Sequence, residues 1–246
     1  MHNYISKLDS ERFGFPVAKL FNNIENPELI VKELSEYSTR LIIARVDFAN
    51  MKLINNLESI GFAYKDAQVT FNFNLQNKIP EKTQNQFSLV SFSNRHLPEM
   101  IDMTRKSFNN YGHYFADDKL DKQKCSEIYT DWIQRCCVNK EIADEIIVAE
   151  KDNIAIGYLA VKKYNSKNEK YIAGVIGAVS PAHRKLGVFQ AINIESLHLA
   201  LDMGFDRIEN NVLVTNFPVM KTYTSLGYSI IKSEITMHYW CKNQTP

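Results

Sequence analysis

Apolar positions recur every second residue in some stretches of this chain and every third to fourth in others, so strands and helices interleave along it. Phe15 to Phe21, Leu41 to Val46 and Gln68 to Leu75 read as strands, with helices after Asn26-Pro27 and over about Met51 to Ser59. That is a small α/β unit. From Gln76 to Gln86 the periodicity disappears and Pro, Lys, Asn and Gln accumulate, as in linkers. The composition shift predicts a small N-terminal α/β domain over 1–80 and a larger domain over 81–246.

Beyond the linker come a short strand at Phe87 to Phe92, a helix from about Leu97 to Phe108, and an aromatic-polar loop reading SFNNYGHYFADD. A long helix follows, with Ile128, Trp132 and Cys136 on one stripe as core packing requires. Glu145 to Glu150, Ala155 to Lys163 and Tyr171 to Val179 predict an antiparallel meander, the first two runs joined by the turn Lys151-Asp152-Asn153. Ala191, Ile194, Leu197 and Leu201 then mark one helical face that stops at Gly204. A strand from Arg207 to Val214, a helix from Asn216 to Ser225 and a strand from Ser229 to Trp240 close the chain. The fold class is α/β, of the α+β kind.

Composition narrows the partners. With 45% hydrophobic and 23% charged residues over 246 positions the chain is a folded protein with a sizeable core. Its 29 Lys+Arg against 28 Asp+Glu supply no basic field for nucleic acid, so any phosphate must be held by local backbone geometry. No apolar run approaches the roughly 20 residues that span a bilayer, and MHNYISKLDSERFGF lacks the features of a secretion signal. A cytoplasmic protein with no membrane contact is expected. Cys125, Cys136, Cys137 and Cys241 contain no C-x-x-C, which suits reduced thiols, and six scattered histidines predict no metal site.

The segment from Val179 to Phe189, VSPAHRKLGVF, carries the chemistry. A strand that breaks at proline and re-enters as a helix leaves backbone N–H groups without intrahelical partners at the positive end of the dipole. Gly187 allows close approach of an anion, and Arg184 and Lys185 add charge. An ordinary strand-to-helix turn with a solvated basic pair has the same local composition. The wider pattern separates the two, because Asn216 stands 32 residues after Arg184 and Tyr223 seven further on, followed by Ser225-Leu226-Gly227-Tyr228.

With V-x-P-x-x-R-x-x-G at Val179 to Gly187 and N-x-x-x-x-x-x-Y-x-x-L-G-Y at Asn216 to Tyr228, the chain resembles the GNAT family of acyl-CoA-dependent N-acyltransferases over roughly Phe87 to Trp240. The resemblance implies a mixed, mostly antiparallel central sheet flanked by helices, with acyl-CoA as co-substrate. Acyl-CoA would lie in a V between the strands ending at Val179 and near Val214, its pantetheine amides on the backbone of Ile176, Gly177 and Val179. Its pyrophosphate would meet the N–H groups of Lys185, Leu186, Gly187, Val188 and Phe189, with Arg184 and Asn216 also at the cofactor. Phe189 departs from the family, which has a small residue there. Tyr223 matches the tyrosine that protonates the departing CoA sulfur. Many relatives carry a glutamate base in the strand occupied here by Tyr171 to Val179, which has no carboxylate. His113, Asp117 or a water chain would have to serve.

A second resemblance concerns the acceptor. Leu8 to Ala18, the small N-terminal half and the loop through Asn110-Tyr111-Gly112-His113-Tyr114 to Asp117 are similar to bacterial transferases that acylate dTDP-linked amino-dideoxyhexoses for surface polysaccharide. It implies that Asn109, Asn110, Tyr111 and Tyr114 bind a nucleotide-linked amino sugar, since aromatic faces beside polar groups suit a base and a sugar. Transfer to a peptide or other small amine, and a non-catalytic acyl-CoA-binding module, are the alternatives. A homodimer is the base-rate expectation.

Overall fold

A computed structural model describes residues 4–21, 24–166 and 169–242. Contacts divide the chain into two units. One comprises Met1–Val69, Asn110–Cys125 and Lys232–Pro246, the other Thr70–Asn109 and Ser126–Ile231. Residues 70–80 thus fall in the second unit, while 110–125 and the chain's end fall in the first, so the units are not two consecutive pieces divided at residue 80.

In the first unit, helix α1 (Lys7–Phe13) is capped by Ser6, whose hydroxyl accepts from the Asp9 N–H, and ends at Gly14 in the left-handed conformation, φ 78°. Strand β1 (Val17–Phe21) pairs in parallel with β2 (Leu41–Asp47) through helix α2 (Pro27–Glu36). Helix α3 (Met51–Ser59) leads into strand β3 (Ala63–Asn74). β2 is antiparallel to β9 (Ser229–Trp240), Leu41 opposite Trp240 and Asp47 opposite Glu234. Alternation sorts the two faces. Ala18, Leu20, Ile42, Ala44, Ile235 and Met237 join an apolar core with Val31, Leu34, Ile54, Leu57 and Phe62. The intervening positions, Lys19, Arg45, Thr236, His238 and Trp240, occupy the other face.

The second unit's strands run in the order β3-β8-β7-β6-β5-β4. β4 (Ser88–Ser91), β5 (Glu145–Lys151), β6 (Ile154–Asn165) and β7 (Lys170–Val179) are successively antiparallel. Asp152 and Asn153 both have positive φ, 52° and 63°, as a two-residue hairpin turn requires. β7 is parallel to β8 (Arg207–Leu213), and α7 (Val188–Asp202) makes the crossover. Helices α4 (Leu97–Ser107) and α7 both pack on β6 and β7. Helices α6 (Lys122–Val138) and α8 (Phe217–Ser225) follow, while short α5 (Gly112–Phe115), within the aromatic-polar loop, belongs to the first unit. The result is a mixed sheet flanked by helices.

Candidate active site

Within the second unit, the parallel ladder of β7 and β8 runs only from Tyr171 opposite Arg207 to Gly174 opposite Asn210. Beyond that rung β7 continues to Val179 and β8 to Leu213. On its other side β7 stays bound to β6, with Ile176, Gly177 and Val179 opposite Ala160, Leu159 and Gly157, after a register shift at Ala160/Val161. The bulge increases local twist. On the β8 side, residues 175–179 of β7 thus lie beyond the paired part of the ladder, as at a sheet edge.

β7 leads into Ser180, whose N–H donates to the Ile156 carbonyl at 2.9 Å, and a single turn at Pro181–His183. The backbone then turns twice through the left-handed region, at Lys185 with φ 64° and at Gly187 with φ 77°. Gly187 is the N-cap of α7, and a Cβ there would meet nothing within 4 Å, so the space above the turn is open. The first helical bond runs from the Ala191 N–H to the Gly187 carbonyl at 2.9 Å. The N–H groups of Val188, Phe189 and Gln190 precede that ladder, at the positive end of a 15-residue helix. Arg184, Lys185 and Leu186 are exposed, and Arg184 Nη2 donates to Ser107 Oγ at 3.3 Å. This arrangement can hold a pyrophosphate through main-chain donors with basic side chains beside it.

Phe189, the bulky residue in this loop, turns its ring edge-on to Tyr223, with centroids 5.6 Å apart. Tyr223 is buried on α8, its ring also against Phe71 at 5.3 Å and Tyr228 at 4.9 Å. Three aromatic rings thus surround that of Tyr223. Asn216 is the N-cap of α8 but makes no side-chain capping bond.

The acceptor-side residues distribute differently. Asn109 and Asn110 are exposed, Asn110 with φ 58°, and Tyr111 is half-buried. His113, Tyr114 and Asp117 are buried in the first unit. Tyr114 donates from its hydroxyl to Asp9 Oδ1 at 3.0 Å, and its ring lies against His113, centroids 3.9 Å apart and inclined at 36°. Asp9 also pairs with Lys19 at 2.5 Å. His113 Nδ1 lies 2.8 Å from His238 Nε2, and His238 Nδ1 lies 2.7 Å from Asp117 Oδ2. The same Asp117 oxygen accepts from Trp240 Nε1 at 3.0 Å and faces Lys65 Nζ at 3.6 Å. Sequence reading found His113 and Asp117 but not His238, Trp240, Lys65 or Asp9. The available signal was in β9, where polar Thr236 and His238 alternate with apolar Ile235 and Met237, a sign of a polar interior on one face.

The acetyltransferase (GNAT) family model matches residues 99–228. In fold the chain is similar to the GCN5-related N-acetyltransferase from Sphaerobacter thermophilus, with a TM-score of 0.63, 11% identity, and 93% of this chain and 74% of that one covered. It is also similar to a tandem GNAT protein from the clavulanic acid biosynthesis pathway, with a TM-score of 0.62 and 12% identity, covering 94% of this chain and 77% of that one. For the GCN5-related N-acetyltransferase from Kribbella flavida the TM-score is 0.58 and the identity 13%, covering 86% and 73%. No curated protein matches the chain in sequence. No helix among the described residues is long and apolar enough to cross a membrane. By the matched family model, spanning β7, β8, the turn through Lys185 and Gly187, and Tyr223, the chain belongs to the GNAT acetyltransferase family, which transfers an acyl group from acyl-CoA to an amine.

Proposed function

We propose that the chain transfers an acyl group from acyl-CoA to the amine of a dTDP-linked amino-dideoxyhexose, as a cytoplasmic, dimeric enzyme of surface-polysaccharide assembly. The carrying observation is the combination, within one unit, of an unpaired β7 edge past Gly174, a doubly left-handed turn at Lys185 and Gly187, and Tyr223 packed on Phe189. Pantetheine amides pair with the backbone of Ile176, Gly177 and Val179. The pyrophosphate sits on the N–H groups from Lys185 to Phe189, with Arg184 and Asn216 at its edge.

The amine attacks the thioester directly, so the protein aligns the reactants, removes a proton from the ammonium and returns one to sulfur. Tyr223 supplies the proton to sulfur. The acceptor half of the reading rests on the exposed polar pair Asn109 and Asn110 next to Tyr111, suited to a base and sugar hydroxyls. Tyr114, buried and bonded to Asp9, holds that segment in place.

Thermal-shift measurements with CoA, acetyl-CoA and dTDP test the reading, since a ligand at 100 times its Kd stabilises the native state by about 2.7 kcal/mol. Both CoA species and dTDP raise Tm, and thiol release from acetyl-CoA accelerates with the dTDP-amino sugar. Stabilisation by CoA without dTDP, with thiol release on a simple amine, replaces the sugar by another acceptor. Binding of CoA without thiol release on any amine makes the chain a binding module.

A further inference from the structure

The second unit carries a buried amide that packing alone does not explain. Asn193 lies in the second turn of α7 and is fully buried, at 0% exposure. Val188 and Ile192 of the same helix stand against Gly157 of β6. Phe189 and Asn193 are each one position further on and four apart, so they share the adjoining stripe of the helix. On that stripe the Phe189 ring meets Tyr223.

One end of the amide is used and the other is not. Asn193 donates to the Phe189 carbonyl at 2.8 Å. A carbonyl oxygen only accepts, so the atom facing it is Nδ2 and the orientation of the amide is fixed. The other end, Oδ1, is buried and has no hydrogen-bond partner among the described residues. A buried acceptor without a partner lowers stability, and a leucine of similar volume would fill the site without that loss. What Asn193 does and a leucine cannot do is donate to Phe189.

The Phe189 carbonyl belongs to the same peptide group as the Gln190 N–H. In the helix this carbonyl also receives the main-chain N–H four residues on, that of Asn193, so its oxygen accepts twice. The Gln190 N–H has no intrahelical acceptor, because the ladder begins with the Ala191 N–H on the Gly187 carbonyl. Hydrogen bonds in series polarise one another. Two on the oxygen side draw electron density from the peptide nitrogen and make its N–H the stronger donor.

Resting on the reading that this turn holds the pyrophosphate of acyl-CoA, we propose that Asn193 is a positioning residue of the cofactor site, acting through the Phe189–Gln190 peptide to strengthen the Gln190 N–H as a phosphate donor. The donor set of the turn thereby extends to Gln190. The same bond ties down the backbone of Phe189, the residue whose ring borders Tyr223. The orphaned Oδ1 is the stability lost in keeping a donor at this position.

Calorimetry with CoA and with pantetheine, which has the thiol arm but no phosphate, tests the role. Cooperative strengthening of about 10–30% in a hydrogen bond to a charged group makes Asn193→Leu weaken CoA binding roughly two- to fourfold. Pantetheine binding stays as it is, and Tm holds or rises because the orphaned oxygen is gone. Asn193→Ser, whose hydroxyl can donate to the carbonyl four residues back, recovers most of the CoA affinity although its smaller side chain lowers Tm. In amide spectra the Gln190 proton moves upfield in Asn193→Leu and returns towards its wild-type position in Asn193→Ser. An unchanged ratio of CoA to pantetheine affinity in Asn193→Leu, or an equal loss on both ligands, overturns the role and leaves Asn193 a packing residue. Wild-type spectra without a scalar coupling across the bond from Asn193 Nδ2 to the Phe189 carbonyl overturn it too, even if both variants misfold. A wild-type protein that binds CoA no more tightly than pantetheine removes the pyrophosphate reading, and the role of Asn193 with it.

Discussion

The side-chain oxygen of Asn210 fills the space that a Cβ on Gly174 would need. The pair forms the last rung of the parallel β7–β8 ladder, so the point where the strands part is built from one absent side chain and one inserted amide. Asn210 is only 3% exposed and has little room to swing aside. Gly174→Ala will therefore cost about 1–3 kcal/mol by overpacking. Gly174→Ala combined with Asn210→Ala will recover part of that loss, and purely additive melts would show that the two residues do not compete.

Gly187 tests the turn itself. With φ at 77° and no neighbour within 4 Å of a built Cβ, a side chain there meets open space but an unfavourable backbone. Gly187→Val will lose about 1–2 kcal/mol through the left-handed conformation, a Tm fall of a few degrees. Its CoA affinity, read by calorimetry, will drop tenfold or more because the side chain enters the space proposed for the pyrophosphate. Native affinity would exclude the turn from the cofactor site.

Much of this architecture is legible in sequence because it depends on local rules. Two-residue alternation with Asp152-Asn153 marks the meander, and the break at Pro181 with Gly187 marks the turn into α7. The end of the β7–β8 ladder is not legible, since it depends on which residue of β8 stands opposite Gly174. His113 and Asp117 stand out by their chemistry, but His238, 125 residues from His113, joins them through the long-range placement of β9 in the sheet between β2 and β3. The same pairing returns the end of the chain to the first unit, which a boundary drawn from composition near residue 80 does not anticipate. α1 had its signals in Ser6 and Gly14, yet its seven residues are too few for apolar periodicity to stand out.

Tyr223→Phe separates ring from hydroxyl. The ring's contacts with Phe71, Phe189 and Tyr228 persist, so Tm and KM will change little. Removing a proton donor used mainly in the transition state will lower kcat by roughly 10²–10⁴. An unchanged kcat would exclude Tyr223 as the acid.

The buried polar network also sets how stability responds to pH. Burial holds His113 well below, and His238 below, the 6.5 of a solvated imidazole, so under acid the unfolded chain binds protons that the folded chain refuses. Stability then rises with pH in that window and is lost as pH falls below about 6.5. Asp117 and Asp9 act at lower pH. Burial raises each, but the bonds to Asp117, and Lys19 with Ser6 and Tyr114 around Asp9, leave both below 3.8. Their contribution is complete above that value and disappears below it. Calorimetric melts will thus show Tm falling in two stages, one beginning near pH 6.5 and one below about pH 4. His113→Gln preserves a donor to His238 but removes one titrating ring, so it will flatten the upper stage and leave the lower one in place. A wild-type Tm independent of pH from 7.5 to 5 would mean that the imidazoles are not held neutral in the folded state.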